Sequence, residues 1–195
     1  MKNLSKKSIF LFETIKIVNQ KPLNIHYHIQ RAKSCVKTDL KFDFKNILNC
    51  QEKGLIRAKI IYDECGNLID VQYFPYELKK FHTFTLVNAD FDYHKKFLDR
   101  SRIDKAKNGF DEIILVKNSY ITDTSIANIA IFDNGWITPG QPLLQGTCRQ
   151  HLLDNNFLQL QAIKVEDLLK TRRFALMNAM TGFLELKEFR FELHL

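Results

Sequence analysis

Residues 111–140, DEIILVKNSYITDTSIANIAIFDNGWITPG, constrain the fold of this chain more than any other segment. β-Branched and aromatic residues fill three runs, and the short polar segments KNSY and DNGW separate them. Runs of this kind predict β-strands, and the Asn-Gly pair within DNGW is a strong signal for a hairpin turn. The segment therefore predicts three consecutive strands of one sheet.

The remaining sequence mixes strand-like and helix-like segments. The sequence pattern changes near residues 80–92, which predicts a small α+β subdomain over residues 1–85 and a larger subdomain over residues 86–195. The patterns predict, in order, a β-hairpin over 8–24, a helix over 25–40 that continues to Gly54, two strands over 55–78 around a Cys-Gly-Asn turn, a strand over 81–93, a loop and helix ending near Gly109, helices over 146–157 and 165–172, and a strand, turn and strand over 173–193.

Composition narrows the class of function. The net charge is +7, but the lysines are scattered, which favours a solvated basic surface or a pocket for a phosphorylated or carboxylated small molecule over a nucleic-acid groove. No apolar run approaches the roughly 18 residues of a membrane span, so we expect a cytoplasmic protein. The four cysteines are irregularly spaced without a CxxC pair, so we expect reduced thiols and no metal site.

An anionic ligand is suggested by residues 120–149. Asp123 directly precedes a strand-like run, and Gly-Thr-Cys-Arg begins at Gly146 where a helix is predicted to start. Backbone N–H groups at a helix N-terminus bind phosphate well. Asp123 could instead cap a turn, and the glycine segment could open an ordinary capped helix.

Four segments in order resemble the class IV aminotransferase family, the fold type IV enzymes that depend on pyridoxal phosphate. This family includes branched-chain and D-amino-acid aminotransferases and 4-amino-4-deoxychorismate lyase. The resemblance implies a mixed fold, α+β or α/β, with two subdomains like that of D-amino-acid aminotransferase, together with pyridoxal 5'-phosphate and a homodimer. The segments are LFETIKI with YHIQRAKS, KFLDR, ITDTSIANIAIFDNGWITP with LLQGTCR, and LMNAM.

The resemblance assigns the catalytic lysine and its partner acid. Lys96 lies four residues before Arg100, as the family's lysine lies before its arginine, and would form the Schiff base and act as general base; Lys95 is the alternative. Asp123 stands where the family has Glu and would keep the pyridine nitrogen protonated, although its side chain is shorter by about 1.5 Å. Asn128 would orient this carboxylate or bond backbone.

Further residues are assigned to the cofactor phosphate and the substrate. Gly146, Thr147 and the Cys148 amide would hold the phosphate at the helix start, and Arg149 would make a structural ion pair. Arg31 would bind the phosphate through its planar fork, buttressed by His28. Two further matches are the least specific. Asn178, with the backbone of Ala179 and Met180, would contact the phosphate or the substrate carboxylate. Arg57 and Arg100 are candidates for binding the substrate carboxylate.

The resemblance leaves three functions open. The N-terminal segment looks more like the lyase group, which converts aminodeoxychorismate to 4-aminobenzoate and pyruvate in folate biosynthesis, and this lyase is the leading hypothesis. A class IV aminotransferase acting on branched-chain or D-amino acids is the alternative. A third is an inactive homologue that binds pyridoxal phosphate, suggested by Asp123 and by the altered Gly-Thr-Cys-Arg segment.

Overall fold

The chain, seen in a computed structural model that describes residues 8–194, divides into two compact units. The first unit extends up to Tyr76 and includes Lys95–Asp99, and the second comprises Glu77–His94 and the chain from Arg100 onward. Residues 1–7 and 195, which the predicted subdomains include, lie outside the described residues. The predicted boundary between residues 85 and 86 stays a prediction.

The first unit is built on an antiparallel sheet. Asn19 and Gln20, between its first two strands, have φ values of 46° and 68°, as a tight hairpin turn requires. The predicted N-terminal hairpin and the predicted pair of strands around the Cys-Gly-Asn turn are both confirmed. In the order β2-β1-β3-β4, the elements are β1 (Phe10–Val18), β2 (Lys21–Pro22), β3 (Leu55–Asp63) and β4 (Leu68–Pro75), with helices α1 (Ile25–Cys35) and α2 (Phe44–Ile47).

Strand alternation creates the core of this unit. Leu11, Ile15 and Ile17 of β1 share a buried row that packs with β3 and α1, as the period of two in a strand requires. Glu13 occupies the same row and is completely buried, so the sheet places a carboxylate among apolar neighbours.

The predicted helix through to Gly54 is wrong after Cys35, apart from the single turn of α2. Residues 48–54 have no helical structure. The Tyr73 hydroxyl accepts a hydrogen bond from Asn49 N at 3.0 Å and donates one to Ile47 O at 3.2 Å, while Leu48 packs on the core. Tertiary contacts thus satisfy backbone groups that a helix would otherwise have paired internally.

The second unit is a larger mixed sheet. The elements are β5 (Thr83–Asn88), α3 (Ser101–Lys107), β6 (Glu112–Lys117), β7 (Tyr120–Thr124), β8 (Asn128–Phe132), β9 (Trp136–Pro139), α4 (Thr147–Asp154), β10 (Gln159–Gln161), α5 (Val165–Lys170), β11 (Phe174–Asn178), β12 (Gly182–Leu186) and β13 (Arg190–His194). The strand order is β10-β9-β8-β7-β6-β5-β13, and β11 pairs with both β8 and β12. Ile114, Ile129 and Leu176 lie in the apolar core of this unit.

The strand count differs from the prediction in three places. Residues 111–140 form four strands because the chain also turns after Thr124, whose hydroxyl accepts hydrogen bonds from Ile126 N and Ala127 N. Residues 173–193 contribute to three strands where two were predicted, and β10 was not predicted. Among the helices of residues 8–194, none is long and apolar enough to cross a membrane.

Candidate active site

The chain segment that carries Lys96 is held beside β1 in the first unit. Leu98 N donates to Phe10 O at 2.9 Å, and Phe12 N donates to Lys96 O at 3.0 Å. This pairing places the half-buried Lys96 side chain on the face of β1 that carries Phe12, with Nζ 4.5 Å from the centre of the Phe12 ring. The position of the amine therefore follows from backbone pairing.

Lys95 has a different environment from Lys96. Its Nζ donates to Cys35 O at 2.7 Å, at the C-terminus of α1, where an ammonium group is favoured by the unpaired carbonyls and the helix dipole. The Lys95 ammonium thus has a structural use, which supports Lys96 as the reactive lysine of the pair.

A buried ion network surrounds Glu13 in the same unit. His28 Nδ1 lies 2.6 Å from Glu13 Oε2, and Arg31 Nε donates to Glu13 Oε1 at 2.9 Å. Burial raises the pKa of Glu13, but the charge of Arg31 and the hydrogen bond from His28 outweigh burial and lower this pKa to about 2. Burial lowers the pKa of His28 despite the adjacent carboxylate.

This network refines the expected roles of His28 and Arg31. His28 does not contact the guanidinium through these bonds; instead Glu13 bridges the two side chains. The role of Arg31 in phosphate binding stays a prediction, with Glu13 as the residue that orients its fork. Glu13 was not among the predicted site residues, although an acid in the apolar row Leu11, Glu13, Ile15 was the available signal.

Arg57 stacks on aromatic rings of the first unit. Its guanidinium carbon lies 4.8 Å from the centre of the Phe74 ring and 5.7 Å from that of Tyr76. Its Nε is buried without a hydrogen-bond partner. The two rings therefore hold the guanidinium in position, as the predicted binding of a substrate carboxylate by Arg57 requires.

Asp123 lies at the end of β7 in the second unit and is almost fully buried, with 4% of its surface exposed. Asn128 Nδ2 donates to Oδ1 at 2.6 Å, and Leu144 N donates to Oδ2 at 2.7 Å. Burial raises the pKa of Asp123 to about 7, against the lowering effect of these hydrogen bonds and of the Arg149 charge. The expectation that Asn128 orients the carboxylate is confirmed.

The glycine at the start of α4 has a packing role beside this carboxylate. A Cβ added to Gly146 would lie 1.8 Å from Asn128 Oδ1, so only glycine allows Asn128 to sit between Asp123 and Leu144 O, to which it donates at 2.9 Å. We expected Gly146 to allow a close approach to phosphate; the approach that the structure shows is to Asn128.

The first turn of α4 carries the other residues assigned to phosphate. Thr147 and Cys148 are buried, and the Cys148 side chain packs in an apolar cluster with Ala130 and Trp136. Cys148 could therefore offer its backbone amide and not its thiol. Arg149 was expected to make an ion pair; instead, its NH1 and NH2 groups donate to the uncharged acceptors Gln145 Oε1 and Pro139 O.

Arg100 and Glu112 stabilise the turn that follows Asp123 through hydrogen bonds to Ser125. Arg100 NH2 donates to Ser125 O at 2.8 Å, and Ser125 N donates to Glu112 Oε1 at 2.8 Å. Glu112 is completely buried. In this structure Arg100 supports the turn, while its assignment to a substrate carboxylate stays a prediction.

The segment from Asn178 to Met180 forms a turn between β11 and β12. Asn178 Oδ1 accepts hydrogen bonds from Met180 N at 2.8 Å and Thr181 N at 2.9 Å. The Met180 amide therefore already has an acceptor within the turn. The proposed contacts of Asn178, Ala179 and Met180 with phosphate or substrate stay predictions.

The predicted residues fall into two groups, one in each unit. Arg31, Arg57 and Lys96 belong to the first unit. The second unit places Asn128 against both Asp123 and Gly146. It also carries Arg100, Thr147, Cys148, Asn178, Ala179 and Met180.

Comparisons with known proteins identify the family. The family model for class IV amino-transferases matches residues 95–189. An uncharacterized protein from Haemophilus influenzae is 36% identical over 187 residues, which cover 88% of this chain and 98% of the relative. A crystal structure of a "putative 4-amino-4-deoxychorismate lyase" from Haemophilus somnus 129pt shares 37% identity, with a TM-score of 0.79, and the match covers 89% of this chain and 97% of that one.

A more distant structure shares the fold. It is a hypothetical aminotransferase from Mycobacterium tuberculosis in a form with α-ketoglutarate and PMP bound, 15% identical, with a TM-score of 0.78 over 97% of this chain and 86% of that one. The predicted mixed fold and the resemblance inferred from the four sequence segments are both confirmed. With relatives above one-third identity over nearly their whole length, this chain belongs to the class IV aminotransferase family.

Proposed function

We propose that this chain is a 4-amino-4-deoxychorismate lyase, which cleaves aminodeoxychorismate into 4-aminobenzoate and pyruvate. The observation that carries the proposal is the 37% identity with the Haemophilus somnus protein of that description, over 97% of its length. The chain is a pyridoxal-phosphate-dependent enzyme of its family, and the reaction is the proposed part. The same resemblance supports action in folate biosynthesis, in the cytoplasm and as a homodimer.

The residues of the second unit fit the pyridine ring of this cofactor. Asp123 is a buried carboxyl group whose pKa is raised to about 7 by burial, and a cation beside it would favour the ionised form. A protonated pyridine nitrogen is such a cation. Each carboxylate oxygen of Asp123 receives one of the two hydrogen bonds described above and can accept another. Asp123 is therefore suited to the role that the family gives to Glu.

The proposed phosphate ligands also fit an anion. α4 begins at Thr147 after Gly146, and the amides of a first helical turn attract phosphate. Arg31 adds a guanidinium whose orientation is set by Glu13. We propose these groups as the phosphate ligands, with Asn178 and Ala179 as further candidates.

When bound, the cofactor would supply an electron sink for the carbon that bears the substrate amine. Lys96 Nζ would accept the proton from that carbon. Breaking the bond between the ring and the ether oxygen would release the enolpyruvyl group, and Lys96 would return a proton to it to give pyruvate. The atoms of aminodeoxychorismate are all recovered in the two products, and no keto-acid acceptor is required.

The reaction is tested by incubating the protein with pyridoxal phosphate and aminodeoxychorismate, without a keto acid. We expect pyruvate and 4-aminobenzoate in equal amounts. Turnover only with a keto-acid acceptor would refute the lyase and support the aminotransferase. An absorbance band that borohydride reduces, without any turnover, would support the inactive homologue.

The lysine is tested by Lys96→Ala, with Lys95→Ala as the matched control. We expect Lys96→Ala to abolish the borohydride-sensitive band and the turnover, because no other amine is assigned to the cofactor. Lys95→Ala should keep the band. The reverse pattern would show that Lys95 is the nucleophile.

A further inference from the structure

One face of the sheet in the first unit carries several cations and aromatic rings. Lys16 lies opposite Arg57 across β1 and β3, and Arg57 lies opposite Phe74 across β3 and β4. Lys59 follows Arg57 on the same face, two residues along the strand, because side chains alternate between faces. Phe12 of β1 completes this group, which we call the cationic face: Phe12, Lys16, Arg57, Lys59 and Phe74.

The strand register gives the cations of this face no acidic cross-strand partner. Lys16 and Arg57 are paired with each other, a like-charge pair that destabilises a sheet. Lys59 is paired with Thr14 and Gln72, which are uncharged. Asp70, further along β4, accepts hydrogen bonds from Val71 N and Gln72 Nε2. Cations that are grouped although their repulsion destabilises the sheet indicate an anionic ligand.

Arg57 and Lys59 point their charges to opposite sides of β3. The Arg57 guanidinium stacks on the Phe74 ring of β4, at 4.8 Å. The Lys59 Nζ lies 5.4 Å from the centre of the Phe12 ring of β1. Their backbone positions are about 6.8 Å apart along the strand, and the charges diverge further, so one carboxylate would not engage both. Two carboxylates on one molecule would.

Lys59 and the proposed catalytic lysine both approach the same aromatic ring. The Phe12 ring that Lys59 approaches is the ring over which Lys96 Nζ lies at 4.5 Å. On the other side of β3, the Phe74 ring positions the Arg57 guanidinium. The cationic face thus combines cations with aromatic surface, and its Phe12 ring lies beside the proposed catalytic amine.

We propose that Lys59 is a specificity-determining residue that binds one carboxylate of a cyclic dicarboxylate substrate, while Arg57 binds the other. This inference rests on the proposed function and deepens it, since aminodeoxychorismate carries one carboxylate on its ring and one on its enolpyruvyl group. Phe12 and Phe74 offer apolar contact to the ring. The face would then select dianionic over monoanionic substrates.

The test compares Lys59→Met with Lys53→Met, an exposed lysine of the same unit. With aminodeoxychorismate, Lys59→Met should raise KM about tenfold to hundredfold, as expected for one lost charged hydrogen bond, and leave the borohydride-sensitive band intact. Lys59→Arg, which keeps a charged donor, should raise KM less than Lys59→Met does. An unchanged KM in Lys59→Met would overturn the inference while the lyase assignment stood.

A binding measurement separates the two proposals if wild type has no lyase activity. Calorimetry would compare isophthalate, a cyclic dicarboxylate, with benzoate on the protein loaded with pyridoxal phosphate. A wild-type preference of about tenfold or more for isophthalate, lost in Lys59→Met and retained in Lys53→Met, would support the inference although the lyase proposal had failed. Equal affinities in wild type would overturn it.

Discussion

Gly146→Ala should destabilise the protein through Asn128 and not through the backbone of α4. The φ of Gly146 is −74°, a value that alanine adopts readily. The added Cβ, however, would lie 1.8 Å from Asn128 Oδ1 and 3.0 Å from Asn128 Cγ. The Asn128 side chain must therefore move, and it carries hydrogen bonds of 2.6 Å to Asp123 and 2.9 Å to Leu144 O.

The magnitude follows from the bonds that would be lost. A hydrogen bond to a charged group contributes about 1.5–3 kcal/mol, and a neutral one about 0.5–1.5 kcal/mol. Displacing Asn128 should thus lower the free energy of unfolding by about 2–4.5 kcal/mol. The charged value applies where Asp123 is ionised, above its raised pKa of about 7, so the loss should be larger at pH 8 than at pH 5.

A double-mutant cycle with Asn128→Ala tests this reasoning in urea unfolding experiments. In the Asn128→Ala background the clash is absent, so Gly146→Ala should cost less than about 1 kcal/mol. Gly135→Ala is the matched control, because a Cβ at Gly135 meets nothing within 4 Å. An equal cost for Gly146→Ala in both backgrounds would refute the proposed contact.

Three further predictions concern charged groups. The pKa of Asp123 is raised from 3.8 to about 7, so its contribution to stability is complete below pH 3.8 and is lost as the pH rises through 7. The loss should reach about 4 kcal/mol in the free energy of unfolding. Asp123→Asn should flatten this pH dependence in the cofactor-free protein, as urea titrations at several pH values would show. The pKa of Glu13 is lowered from 4.5 to about 2, so its contribution of about 3 kcal/mol to the free energy of unfolding is present above pH 4.5 and is lost as the pH falls through 2. The same titrations on Glu13→Gln should show a weaker loss of stability in acid. An unchanged loss of stability in acid would contradict the network around Glu13. Arg100→Ala should lower the unfolding free energy by about 1 kcal/mol through the bond to Ser125 O, with exposed Arg102→Ala as the control; a raised KM with unchanged stability would instead support a substrate contact.

Sequence patterns predicted those features whose conformation depends on residues close together in the chain. The Asn-Gly pair in DNGW predicted the turn between β8 and β9, and Asn134 there has a φ of 52°. Asn128 was expected to orient the carboxylate of Asp123 or to bond backbone, because it matches the family's asparagine on the following strand. In the structure the two residues pair directly across β7 and β8. Such features depend on neighbours within a few residues, which a sequence pattern records.

Contacts between distant residues could not be predicted in the same way. The predicted helix to Gly54 is interrupted because Tyr73 binds the backbone of residues 47 and 49. The environment of Arg57 depends on Phe74 and Tyr76, which follow it by 17 and 19 residues in the sequence. Periodicity carries no information about which ring will face which charge.

Motif order and residue type in the sequence were enough to identify the family, the strand-rich fold and Lys96 and Asp123 as candidates. The contacts that support those residues became visible in the folded chain. It buried Glu13 between His28 and Arg31, and it placed Gly146 against Asn128. Burial and close packing arise from strand register and from contacts across the chain, and they set the pKa values and steric limits that residue order does not contain.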